Sequence, residues 1–243
     1  LPDRRVDADD LALQVEEGQD GPKRERGPAM CPFCDQPTKE AEIRESSRNG
    51  ELGQQLIAVI VEGQHGRDYR APEPTDLAAY ERAVAQKPEG PMEPLLPEIT
   101  TVADEDDAAT NSTGIRVHQY GLKTWGSLFN ERQLLVLQTV TRLVQEAIAQ
   151  VLKDGHEREY ARTLAAYLAI WVSRTTMRMT QIGRWDSGRE SMQTPFDGPK
   201  MPMKLDYPEA NPFSEASGGF GNQIDWITKY IEHESGGGTP ARV

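Results

Sequence analysis

The chain's two cysteines, Cys31 and Cys34, sit in "AMCPFCD" with a proline between them. Thiols at this spacing suit three roles. A redox pair exchanges a disulfide, but it needs the first thiol at a helix N-terminus after a strand, where the dipole lowers its pKa. Here Pro37 interrupts the next turn and the preceding "GPKRERGPAM" is no buried strand. A zinc knuckle between short strands is the second role, the tight turn letting both sulfurs reach a metal at about 2.3 Å. Zinc then needs two more ligands, which this chain does not supply at ribbon spacing. Plain structure is the third, and C-x-x-C alone leaves it open.

Other chemistry is excluded by inspection. There is no phosphate loop, no dinucleotide fingerprint, no nucleophile elbow, no H-E-x-x-H and no deaminase motif. Gly218, Gly219 and Gly221 follow no strand and read as a flexible lead into a helix. His65, His118, His156 and His233 are scattered without ligand spacing. Asn211-Pro212-Phe213 is similar to the N/D-P-P-Y/F motif that holds a flipped base in amino-methyltransferases, but it lacks the second proline and reads as a turn.

The chain has 243 residues, enough for one large domain or two small ones. Its net charge of -12 works against phosphate binding by the molecule as a whole. The excess acidity lies almost wholly before residue 110, so local charge decides. No apolar run is long enough for a spanning helix, and "LPDRRVDADD" is charged where a secretory leader is hydrophobic. A cytoplasmic protein with no membrane partner is expected, and the missing initiator methionine suggests a fragment.

The elements that must position these residues form an α+β chain. A small β-rich, zinc-ribbon-like N-terminal part with one short helix is expected over 1–87, an acidic Pro-rich linker over 88–113, a helical region over 114–235 and a tail over 236–243. In the first part Leu11 to Val15 and Leu56 to Gly63 read as strands of one sheet, the second mostly buried. "DLAAYERAVAQK" reads as the helix, with Leu77, Tyr80 and Val84 on one face and Asp76 in its first turn. In the helical region Asn130 and Gln133 have capping-box spacing, Leu134, Leu137, Val140 or Thr141, Val144, Ile148 and Val151 share a face, and Gly155 stops the helix. "EREYARTLAAYLAIWVSRTTMRMTQIGRW" continues as the second arm of a long antiparallel helix hairpin. Residues 186–217 read as irregular, and "GNQIDWITKYIEH" reads as a last helix.

Five phrases in order, "CPFC", "GQQLIAVIVEGQHGRDYRAPEPTDLAAYERA", "GIRVHQYGLKTWGSLFNERQLLVLQTVTRLVQEA", "EYARTLAAYLAIWVSR" and "NPFSEASGGFGNQIDWITKYIEH", resemble the middle of the large adenine-specific DNA methylases that contain a zinc ribbon. That family is linked to bacterial phage defence and restriction-modification-like gene clusters. The resemblance implies that Cys31 and Cys34 are the second half of a zinc knuckle. The first half, the S-adenosylmethionine motif and the catalytic D-P-P-Y would lie outside this segment. No catalytic or cofactor-binding residue transfers to this chain. Its expected partners are DNA, through the complete enzyme, and a catalytic methyltransferase region or subunit. Candidate DNA contacts combine cations with aromatics: Arg67, Tyr69 and Arg70; Arg116, Lys123 and Trp125; Arg174, Arg178, Arg184 and Trp185. The competing expectation is a stand-alone zinc-binding or protein-interaction module without enzymatic activity.

Overall fold

A computed structural model describes residues 29–30, 34, 36–64, 66–86, 115–196, 198, 201, 203–216 and 218–235. The expected strand at Leu11 to Val15, the linker and the tail lie outside the described residues, as do Cys31 and His65. The fold is α+β and divides into two compact units, Leu1–Ala85 with Gln119–Gly121, and Gln86–His118 with Leu122–Val243.

The first unit pairs β1 (Ala29–Met30) with β2 (Pro37–Thr38), antiparallel, and β3 (Val59–Gly63) with β4 (Gly66–Arg70), also antiparallel. These are two separate ladders rather than one sheet. β3 has no buried residue, and Leu56 and Ile57 before it are exposed. The apolar run reads as a buried strand, but among the described residues the two-stranded ribbon carries no second layer to bury it against. Helix α1 (Glu40–Arg48) joins this region, where one helix is expected. Its sequence has little apolar period. It is held by acidic residues in its first turn, by a Glu40–Arg44 pair at 2.5 Å and by the returning chain at 119–121. There the Ser47 hydroxyl donates to the Tyr120 carbonyl at 2.7 Å, the Tyr120 hydroxyl donates to Glu40 at 3.1 Å, and the Arg44 guanidinium lies 5.6 Å from the Tyr120 ring centroid. Gly121, at φ +81°, passes so close that a Cβ would stand 3.2 Å from Arg48 Cα. Helix α2 (Pro74–Ala85) buries Ala83, while Leu77 and Val84 of the expected face are exposed.

The second unit is mainly helical. Helix α3 (Glu131–Lys153) carries the expected reciprocal cap: Gln133 N donates to Asn130 Oδ1 at 2.9 Å, and Asn130 N donates to Gln133 Oε1 at 3.0 Å. Gly155, at φ +88°, follows its end in the left-handed region that a side chain resists. After a four-residue turn, α4 (Arg158–Thr176) packs against α3, and α5 (Phe220–Glu234) packs against α4. The helical period of α4 continues in sequence to Trp185, yet the helix ends at Thr176. Beyond it the Thr180 hydroxyl and Gln181 N both donate to the Leu128 carbonyl, at 2.8 and 3.0 Å, pulling the chain out of helical register. β5 (Arg184–Asp186) and β6 (Ser191–Gln193) then form a short antiparallel ribbon, the first starting within the stretch expected to be helical and the second lying in the one expected to be irregular. Val117, Leu128, Ile182 and Met201 make the core, with Ile115, Leu122, Phe129, Phe196 and Met203 against them. Gly218 and Gly219 are not a loose lead into α5: both are buried, and a Cβ on Gly219 would fall inside the Ser214 carbonyl.

Candidate metal knuckle and nucleic-acid contacts

The β1–β2 ladder sets Ala29 opposite Thr38 and Met30 opposite Pro37, so it closes the loop from 31 to 36 at its base. Cys34 lies in that loop, exposed and with a free thiol. Cys31 lies outside the described residues. A structural zinc is held tetrahedrally by four ligands, and the loop can offer two thiolates. Among the described residues no group of three His, Cys, Asp or Glu side chains could complete such a site. A zinc ion there would need two further ligands besides the two cysteine thiolates.

The ten candidate DNA contacts divide between the units. In the first, Arg70 forks onto Asp76, with Nη1 to Oδ2 at 2.7 Å and Nη2 to Oδ1 at 3.0 Å, while Asp76 Oδ2 also accepts from Glu73 N. That bidentate pairing ties the end of β4 to the start of α2 and spends the guanidinium on a carboxylate. The register puts Arg67 opposite Glu62 and Tyr69 opposite Ile60, with the Tyr69 ring exposed.

In the second unit Arg178 donates to the Met192 carbonyl and so fastens the end of α4 to β6. Trp185 is half-buried opposite Met192. Arg174 lies 5.9 Å from the centroid of Trp226, engaged by a ring that the sequence reading did not single out. Arg116, Lys123 and Arg184 are exposed, and among the described residues none is in an ion pair. Trp125 is exposed beside Lys123. Hydrogen bonds from Thr180 and Gln181 to the Leu128 carbonyl, and from the Gln181 amide to the Ser127 carbonyl, tie the stretch holding Lys123 and Trp125 to the one leading into Arg184. Four of the candidates thus remain open for contact in this unit, and the three cations among them are in no ion pair among the described residues.

A polar cluster at the start of α3 has no counterpart among the expected sites. The buried Asn130 side chain donates to the Tyr207 hydroxyl at 3.0 Å and to Glu209 Oε2 at 2.9 Å, and Arg132 pairs with Glu209 at 2.8 Å. Burial pushes the Tyr207 phenol up from its ordinary 10.0, against the lowering effect of its hydrogen bond with Asn130. A phenol harder to ionise in the folded state stabilises fully below pH 10.0, and that contribution is lost as the pH rises toward the folded value. Unfolding free energy is accordingly expected to fall above pH 10.0, and Tyr207→Phe to flatten the fall. Denaturation curves at a series of alkaline pH values check this; parallel slopes for both proteins would rule it out.

No family model, curated protein or solved structure matches this chain. Among the described residues no helix is long and apolar enough to cross a membrane.

Proposed function

We propose that the chain is a non-catalytic region of an adenine-specific DNA N6-methyltransferase, in which a zinc-ribbon-like part and an antiparallel helix hairpin bind or scaffold the DNA target. S-adenosylmethionine and the catalytic motifs belong to the part of the enzyme outside this chain, and the complete enzyme works in the cytoplasm. One observation carries the reading: a two-stranded ladder brackets the C-P-x-C loop and leaves Cys34 exposed, the arrangement in which a knuckle presents thiolates to zinc. The open cations Arg116, Lys123 and Arg184 support the DNA side, because a cation free of carboxylates can neutralise a phosphate.

Cobalt(II) substitution and electrophoretic shift of an adenine-containing duplex test the two halves. The thiolate-to-cobalt absorption band is expected with the complete enzyme, which supplies the other two ligands, and is expected to be lost when Cys34→Ser is introduced into it. The shift is expected to weaken with salt, and alanine at Arg116, Lys123 and Arg184 to reduce the log–log salt slope by about 0.9 for each phosphate contact removed. If the complete enzyme gives no band and no salt-dependent shift, this chain would be an interaction module without a role at DNA.

A further inference from the structure

Among the described residues, one face of α5 displays large apolar side chains to water. Trp226 is 61% exposed and Tyr230 59%, one turn apart, and on α4, which packs against α5, Ile170 is 50% exposed. Phe213, at 85%, is displayed on a rigid turn: its N donates to Asn211 Oδ1 at 3.0 Å, Phe220 N donates to the Pro212 carbonyl at 2.7 Å, and its ring meets Phe220 edge-on at 5.7 Å. Aromatics this exposed and this well held are the kind that anchor interfaces. Nucleic acid is a poor occupant. Arg174 already lies over Trp226, and beside the single flanking cation Lys229 the exposed Glu215, Asp225, Glu232 and Glu234 repel phosphate.

The flank of this face has a self-complementary charge pattern. Asp225 and Lys229 are exposed and stand one turn apart, an orientation that favours pairing within a helix, yet neither is in an ion pair among the described residues. We propose that this face joins two copies of the chain through an antiparallel, two-fold pairing of α5. With the axis level with Ile227, Asp225 and Lys229 lie about 3 Å to either side of it along the helix. An antiparallel partner then brings Lys229 of one copy against Asp225 of the other, twice, because like flanks face each other across a two-fold axis. The same register inserts Trp226 of each copy beside Trp226 and Tyr230 of its partner. Both aromatics are thereby withdrawn from water, and the two ion pairs rim them.

Sedimentation equilibrium of the 243-residue chain reads the proposal directly. The wild type is expected to be a dimer that dissociates on dilution. Asp225→Lys and Lys229→Asp, each setting like charges together, are each expected to raise the dissociation constant about tenfold or more, and the double exchange Asp225→Lys/Lys229→Asp to restore it. Both positions are exposed, so the circular dichroism of the variants is expected to match the wild type. A monomeric wild type, dimers indifferent to either single exchange, or a double exchange that stays monomeric would overturn the pairing. So would a monomer whose tryptophan fluorescence is quenched by a single-stranded oligonucleotide, because the face would then be a base-stacking surface.

Discussion

Leu128→Ala is expected to destabilise the second unit by about 2 to 5 kcal/mol. Leu128 is fully buried in the cluster with Val117, Ile182 and Met201, and its own carbonyl receives both Thr180 and Gln181. Truncation removes apolar atoms from water-free packing and leaves a cavity between two chain segments far apart in sequence, so neither segment can relax alone to fill it. Domain stability of about 5 to 15 kcal/mol makes this a large fraction of the total. Leu143→Ala is the control: the side chain is half exposed on the outer part of α3, and surface truncations cost about 0.5 kcal/mol or less. Urea denaturation followed by tryptophan fluorescence compares the two. Equal midpoints would mean that the core does not centre on Leu128.

The contrast between these leucines is one that periodicity alone does not reveal. Leu134, Leu137, Val140, Val144, Ile148 and Val151 share a face of α3, and the capping residues and Gly155 bound it, so the helix is legible from end to end. Local chemistry decides each of those features. Where contacts are distant, the sequence is less informative. α1 is charged and serine-rich, and one of its partners is Tyr120, so no local period announces it. α4 stops short of its apolar pattern because Leu128 captures the residues beyond it. The candidate site divides in the same way. The two cysteines and the cations are visible as residue types, whereas the short ladder on either side of Cys34 is not announced by any apolar alternation. That Arg70 is spent on Asp76 and Arg178 on the Met192 carbonyl depends on how strand and helix ends meet. Trp226 and Tyr230 stand at helical spacing in plain view, but which side of α5 stays uncovered is set by its packing on α4.

Asn130→Ala is the second large effect, expected at about 2 to 4 kcal/mol. Every hydrogen-bonding group of Asn130 is used. Its N and Oδ1 complete the box with Gln133, its carbonyl accepts from Leu134 N at 2.9 Å, and its amide donates to both Tyr207 and Glu209. Alanine therefore removes the helix cap and also strips donors from a half-buried phenol and carboxylate that pin residues 207–209 to α3. Two further variants separate these losses. Asn130→Ser keeps a cap oxygen but is too short to reach Tyr207 and Glu209, so it is expected to lose about 1 to 2 kcal/mol. Asn130→Asp is as good a cap as asparagine on an isolated helix. Here it sets a second carboxylate beside Glu209 in place of a donor, and it is expected to lose about as much as alanine near neutral pH. The aspartate deficit is expected to shrink as the pH falls through the carboxylate range, since protonating the new carboxyl restores an O–H donor; the alanine deficit has no such group to titrate. Thermal melts of the three variants at neutral and acidic pH decide the matter. If Asn130→Asp melts with the wild type at neutral pH, Asn130 acts only as a cap and the link to Glu209 contributes nothing.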